Sequence, residues 1–503
     1  MSERVLVLAI DGADPSLLSQ WAQAGHLPTL QRMLESGFSS PLQGPVGFGD
    51  APTWATAHTG VSPAHHGRYS YRQLRKGSYQ KALTVDADLK AEPYWMHLSR
   101  AGKRVAILDM PKSPVPNDLN GIFLGDWLVH GREHAGPVSY PENFARDIIQ
   151  QIGAPPPSMC GLDQPALDEI GYRRMLERLF QSVSMKRDLV LSVLDQENWD
   201  LVAAGFKEAH CIGHHGWHLH DRGRPEFVPD IAAALGDPLL RVYKAIDVAL
   251  AEILERAGPE ATVLVYSPLG MGPHYGAFRL LPDILAGLGY GGGGLVRAGR
   301  RALGALAGPP KKAATQSGMP RDGSTLRSKI KDVFEARRDW LSIDLSEHVS
   351  GLRINLKGRE PKGRIRLADR DRCEDQLIAD FEALRDPVSG IALVDRILRT
   401  RDHYSGPYLQ LLPDLLVYWN MTQPVVSATS PRLGTIRSTR RSLRTGAHRD
   451  GGILMSTGPH IGRESSTEAI DLRCIAATIA SLLGVDFESG ETSPIGAVIN
   501  RPA

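Results

Sequence analysis

The chain has 503 residues, 42% of them apolar and 23% charged, with a formal net charge of +2. That length exceeds one small domain, fits a large α/β enzyme with insertions, and supplies enough apolar side chains for a sizeable core. So balanced a charge gives no overall field toward nucleic acid or a membrane surface, and neither is expected as a partner. The four cysteines, Cys160, Cys211, Cys373 and Cys474, are scattered and form no CxxC pair. They read as reduced thiols, which makes the cytoplasm the expected location.

Taken in chain order, Val5–Ile10 is an apolar run of six residues ending at Asp11, which predicts a buried strand rather than a signal peptide. A helical stretch is expected from about Pro15 to Ser36, another helix near Tyr94–Ala101, and a strand over Arg104–Asp109. Asp126 closes a further apolar run. Leu201–Phe206, Thr262–Ser267 and Ile453–Ser456 complete the pattern. None approaches the roughly 18 residues of a membrane span. Short apolar strands separated by helices predict an α/β protein with a mostly parallel sheet covered on both faces, and ligands at the carboxyl ends of its strands. Residues 1–285 read as the first part of a core, 286–345 as a basic insertion, and 346–503 as an auxiliary stretch followed by completion of the core. The insertion opens on Gly291–Gly294 and carries Arg297, Arg300, Arg301, Lys311 and Lys312. It is either a solvated excursion or a basic lid over an anionic substrate.

The chemistry concentrates after Leu201–Phe206, in Glu208-Ala209-His210-Cys211-Ile212-Gly213-His214. Two histidines four apart face the same way on a helix and can share one cation. A single HxxxH is also common on solvated faces, so its context decides. Asp11, the Glu208/His210 segment, Ser267 and the glycine-rich turn around His448 all fall at expected strand ends, where a site belongs. His210, His214 and His448, with Glu208 as fourth ligand or supporting carboxylate, would hold a divalent metal with an open position. Zinc is the first expectation, with manganese or iron as alternatives. Arg68 and Asp126 are accessory candidates, Arg68 for an anionic group and Asp126 as a neighbour of the site.

These strand-end blocks, in this order, resemble the alkaline phosphatase superfamily, specifically its type I phosphodiesterase/nucleotide pyrophosphatase branch. Val7-Leu8-Ala9-Ile10-Asp11-Gly12 looks like the family's first strand and metal aspartate. Pro52–Gly67 resembles the nucleophile loop with its trailing TG…P…HG. His210-x-x-Gly213-His214 matches an Asp-x-x-Gly-His spacing, with histidine where aspartate is usual, and Gly446-Ala447-His448 matches the late metal histidine. Gly351–Pro361 and Leu412-Pro413-Asp414-Leu415 resemble auxiliary stretches. The resemblance implies an α/β/α sandwich with an inserted auxiliary region. It also implies hydrolysis of a small anionic phosphate or sulfate ester, with two zinc ions in a typical member.

Two departures stand out. Ser267-Pro268-Leu269-Gly270 falls where the family carries Ser-Asp-His-Gly, and proline and leucine cannot coordinate an ion. Half of the two-metal site is therefore expected to be empty or rebuilt, with His274 filling in only if its loop bends back. The nucleophile's spacing, nine residues before Thr59, lands on Asp50, whose neighbours carry no hydroxyl. Asp50 could be ligand, base or nucleophile, and Thr53 could attack after a local shift of the loop or merely serve the helix start. Three neutral imidazoles leave the ion's full charge to polarise a water. The expected function is thus a metal-dependent hydrolase of a phosphodiester, phosphomonoester or sulfate ester with one dominant site. A lyase or iron/oxygen enzyme on the same scaffold, or a non-catalytic descendant, are the alternatives.

Overall fold

Alternate side chains of the first strand, β1 (Val5–Ile10), enter different cores, and this fixes the architecture. Leu6, Leu8 and Ile10 join one hydrophobic cluster, while Val5, Val7 and Ala9 join another on the opposite face of the sheet. The computed structural model describes residues 4–128, 134, 136–157, 167–196, 198–291, 332–438, 444–459, 461–463, 465–488, 491–496 and 498. Cys160 and the basic residues from Arg297 to Lys331 lie outside the described residues.

Besides β1, the central sheet contains β2 (Phe38–Gln43), β3 (Val105–Leu108), β4 (Gly121–Gly125), β5 (Val138–Tyr140), β6 (Leu201–Phe206), β7 (Thr262–Ser267), β14 (Gly452–Thr457) and β15 (Ile470–Asp471). Their order is β15-β2-β14-β7-β1-β6-β3-β4-β5. The central run β7-β1-β6-β3-β4 is parallel, and β14 is antiparallel to both β7 and β2. Strands buried on both faces explain the continuous Val/Leu/Ile/Ala runs. Helices cover each face, so the sandwich and the mostly parallel sheet expected from the sequence are both present. The helical stretch expected over Pro15–Ser36 is two helices, α1 (Pro15–Gln23) and α2 (Pro28–Ser36). Pro28 cannot continue a helix and instead starts the second.

Between β7 and β14 the chain leaves the sandwich. It forms a short ribbon, β8 (Gly270–Pro273) with β13 (Gly446–Arg449). It also builds an antiparallel sheet ordered β9-β10-β12-β11 from Trp340–Asp344, Val349–Ile354, Leu415–Trp419 and Val394–Arg399. This sheet has its own apolar cluster, which includes Leu281, Ile284 and Leu285 as well as Trp340 and Phe381. Among the described residues, no helix is long and apolar enough to cross a membrane.

Candidate metal centre

Strand β6 ends in helix α6 (Glu208–His220), which is buried over all but its last residue. His210 and His214 lie on one side of it, and β13 brings His448 to the same point. The close approach depends on Gly446: a Cβ there would lie 2.0 Å from the Gly213 carbonyl oxygen. The three rings form a nearly equilateral triangle, with centroids 4.6, 4.8 and 4.7 Å apart, and one nitrogen of each lies within 4.8 Å of the other two.

Each imidazole is held through Nδ1. His210 Nδ1 is 2.7 Å from Asp11 Oδ2, His214 Nδ1 is 2.9 Å from the Gly446 carbonyl, and His448 Nδ1 is 3.4 Å from Glu347 Oε2. Acceptors at Nδ1 place the proton there and leave the Nε2 lone pairs for a ligand. His448 Nε2 is buried with no hydrogen-bond partner among the described residues. Burial first, then the Arg444, His210 and His448 charges, push His214 well below the usual histidine range, so it is neutral as a ligand must be. The donor set therefore fits a divalent cation. One contact competes: Arg444 Nη1 donates to His214 Nε2 at 3.1 Å, so a cation taking all three Nε2 atoms must replace that bond. Arg444 keeps its second partner, Glu347 Oε1, at 3.0 Å.

Glu347 escapes sequence reasoning because it lies about 100 residues from His448, in the loop between β9 and β10. The polar triplet Ser346-Glu347-His348 between two apolar strands is the available signal. Burial opposes its charge, but the His448 hydrogen bond and the His448, His214 and Arg444 charges outweigh this and hold its carboxyl well below the usual range. Next to it, His348 Nε2 donates to Asp450 Oδ1 at 2.8 Å. The auxiliary sheet thus touches the site through two adjacent residues.

A second group shares His210. Oxygens of Asp11 and Asp50 and a nitrogen of His210 lie within 4.8 Å of one another. Asp11 follows β1, is 1% exposed, and accepts from Trp54 Nε1 at 3.1 Å. Asp50 is the first residue of α3 (Asp50–Thr59), after Gly49, where a Cβ would meet Ser346 at 2.7 Å. Thr53, one turn on, is 2% exposed and donates its hydroxyl to the Gly49 carbonyl at 2.8 Å, so its oxygen is engaged within the helix. Neither α3 nor its start is capped by Thr53.

Several candidates stand elsewhere. Glu208 does not join the histidines: two residues along a helix is about 200°, so it faces the other way. Its carboxylate accepts from Ser182 Oγ beside the buried Asp109–Lys186–Lys207 cluster, and burial raises its pKa. His274 follows β8, stacks edge-on to Phe278 at 5.3 Å, and belongs to neither group of mutually close donors. Burial lowers its pKa to about 4. Asp126 pairs with His134 Nδ1 at 2.9 Å. Arg68 is fully buried and donates to the Lys112 and Val85 carbonyls at 3.3 Å, so it braces a loop rather than presenting its charge to a ligand. Ser267 Oγ donates to the Leu269 carbonyl and accepts from Ala13 N, and Leu269 is buried. That strand end is an apolar plug with no ligand.

No curated protein matches the chain. Among solved structures it is similar to phosphonoacetate hydrolase from Sinorhizobium meliloti 1021 in complex with phosphonoformate. The TM-score is 0.52 at 12% identity, over 96% of each chain. The same enzyme in complex with phosphonoacetate gives 0.51 at 15%, again over 96% of each. Identities this low speak for the fold. The model of the Type I phosphodiesterase / nucleotide pyrophosphatase family matches residues 5–432. The chain belongs to that family of phosphoric ester hydrolases.

Proposed function

We propose that the protein hydrolyses a small anionic phosphate ester with one divalent cation, zinc first, held by His210, His214 and His448. The observation that carries this is the triangle of imidazoles, each with Nδ1 committed to an acceptor and Nε2 turned inward. When bound, such a cation supplies Lewis acidity and makes a nucleophile available near neutral pH.

The protein's own residues do the rest. Asp50, partly exposed at the helix start, is the better-placed base: it takes one proton of the attacking water as the new P–O bond forms, while the ester P–O bond breaks and its oxygen leaves with the electron pair and is protonated from solvent. Thr53 is poorly placed to attack, because its hydroxyl is buried and donating within α3. Asp11 orients His210, and Glu347 keeps Arg444 beside the histidines as a donor for the ester's anionic oxygens.

The test measures metal per chain together with turnover of p-nitrophenyl phosphate, bis-p-nitrophenyl phosphate and p-nitrophenyl sulfate. About one zinc per chain, with phosphate-ester turnover lost in His214→Ala, is the expected result. Faster sulfate turnover would move the substrate class. Iron with oxygen-dependent turnover would replace hydrolysis by redox chemistry. A metal-free protein inert to all three esters would leave a binding protein.

A further inference from the structure

Lys112 has no role in the reading above, yet three observations converge on it. First, its Nζ lies 3.7 Å from Asp50 Oδ2, with both side chains only partly exposed (11% and 18%). Second, its backbone is in the left-handed region, φ 57°, which a lysine adopts only when its surroundings impose it. Third, those surroundings are visible. Carbonyls of three successive residues are each held by a buried donor: Met110 by Ser113 Oγ at 2.8 Å, Pro111 by His58 Nε2 at 2.8 Å, and Lys112 by Arg68 Nη1 at 3.3 Å. His58 belongs to α3, the helix that starts with Asp50, so one element sets both partners. A loop merely turning a corner would use glycine at this φ.

The charges around Asp50 explain what the lysine is for. Asp11 already has His210 and Trp54 as donors, whereas Asp50 Oδ1 is buried with no hydrogen-bond partner among the described residues. The neighbouring strand end, Ser267-Pro268-Leu269, brings no imidazole or carboxylate that could bind a positive ion there. We propose that the Lys112 ammonium contacts a non-bridging oxygen of the ester's phosphoryl group on the Asp50 side of the site, supplying the positive charge that this strand end does not. The proposal rests on the phosphate-ester reading above. A compact ammonium suits this task, because it can donate to Asp50 and to the anion at once.

The decisive variant is Lys112→Gly, which removes the ammonium and suits the left-handed backbone, with Lys112→Arg as the conservative partner. Binding of inorganic phosphate to the metal-loaded protein is measured by calorimetry, beside kcat, KM, metal content and melting temperature. Lys112→Gly should melt no lower than the parent and keep its metal. It should bind phosphate at least about tenfold more weakly and lose roughly 100-fold in kcat/KM, with Lys112→Arg recovering part of both. Unchanged phosphate binding and unchanged turnover in Lys112→Gly would overturn the proposal, as would losses that merely track a lowered melting temperature. If the parent binds phosphate through Lys112 but hydrolyses no ester, the anion site stands and the hydrolase reading falls. If it does neither, both fall.

Discussion

His210 divides the site into two unlike halves. Toward His214 and His448 the side chains are buried imidazoles, each fixed by an acceptor, and they converge beside the Arg444–Glu347 ion pair. Toward Asp11 and Asp50 the groups are carboxyls, Asp11 buried and Asp50 partly exposed beside Lys112, whose backbone is left-handed. In the function proposed above, the first half holds a cation and the second meets an anion and moves a proton. An aspartate in place of His210 would lower the charge of the first half, whereas the imidazole leaves the cation's charge undiminished.

The sharpest way to break this comparison is to remove a member of the first half. His448→Ala should lose the cation and abolish turnover, read as metal per chain and ester hydrolysis; retained metal would show that the triangle is not the ligand set. On the second half, Asp50→Asn should keep its metal and lose roughly 10²- to 10⁴-fold in kcat. Thr53→Val, by contrast, should stay within a few-fold, its hydroxyl being committed to the Gly49 carbonyl. The opposite ranking would return the nucleophile to Thr53.

A smaller effect concerns acid stability. Burial, and to a lesser degree Arg68, lower the pKa of His58 to about 4, outweighing the Pro111 carbonyl that favours its charged form. The unfolded chain takes up this proton near pH 6.5 and the folded chain near 4, so stability falls as pH drops through that window. The loss is about 3 kcal/mol from this group once pH reaches 4. His58→Gln keeps a donor for Pro111 but cannot titrate, so its melting temperature should fall less steeply between pH 6.5 and 4 than the parent's. Equal slopes would place the acid sensitivity in other histidines.

What the sequence revealed and what it hid have physical reasons. The strand ends were legible because fully buried parallel strands are uninterrupted apolar runs, and His210 and His214 because i,i+4 spacing on a helix is unambiguous. Glu208 misled because nearness in sequence is not nearness on a helix. Lys112 was invisible because nothing in a composition reports a backbone angle. Arg68 looked like an anion binder because its burial, and the carbonyls it braces, depend on packing from elsewhere in the chain. Glu347 was hidden by distance, since only the packing of the auxiliary sheet against β13 brings it to His448.

Glu347 also offers the mildest test of the comparison, because it acts on the first half from outside. Glu347→Gln preserves size and an acceptor but deletes one negative charge beside the triangle. His448 loses its anionic partner, and Arg444, which sits against His214, loses the ion pair that offsets its charge. Both changes oppose a cation: one weakens the orientation of a ligand, and the other leaves a bare positive charge against the coordinating nitrogens. Second-layer carboxylates of this kind typically carry a 10- to 100-fold share of metal affinity, so zinc affinity by competition with a chromophoric chelator should weaken by about that factor. Turnover at saturating zinc should remain within about tenfold of the parent, since Asp50 and Lys112 are untouched. If affinity does not change, Glu347 serves only to fasten the auxiliary sheet to the core, and the imidazole triangle is oriented by Asp11 and the Gly446 carbonyl alone.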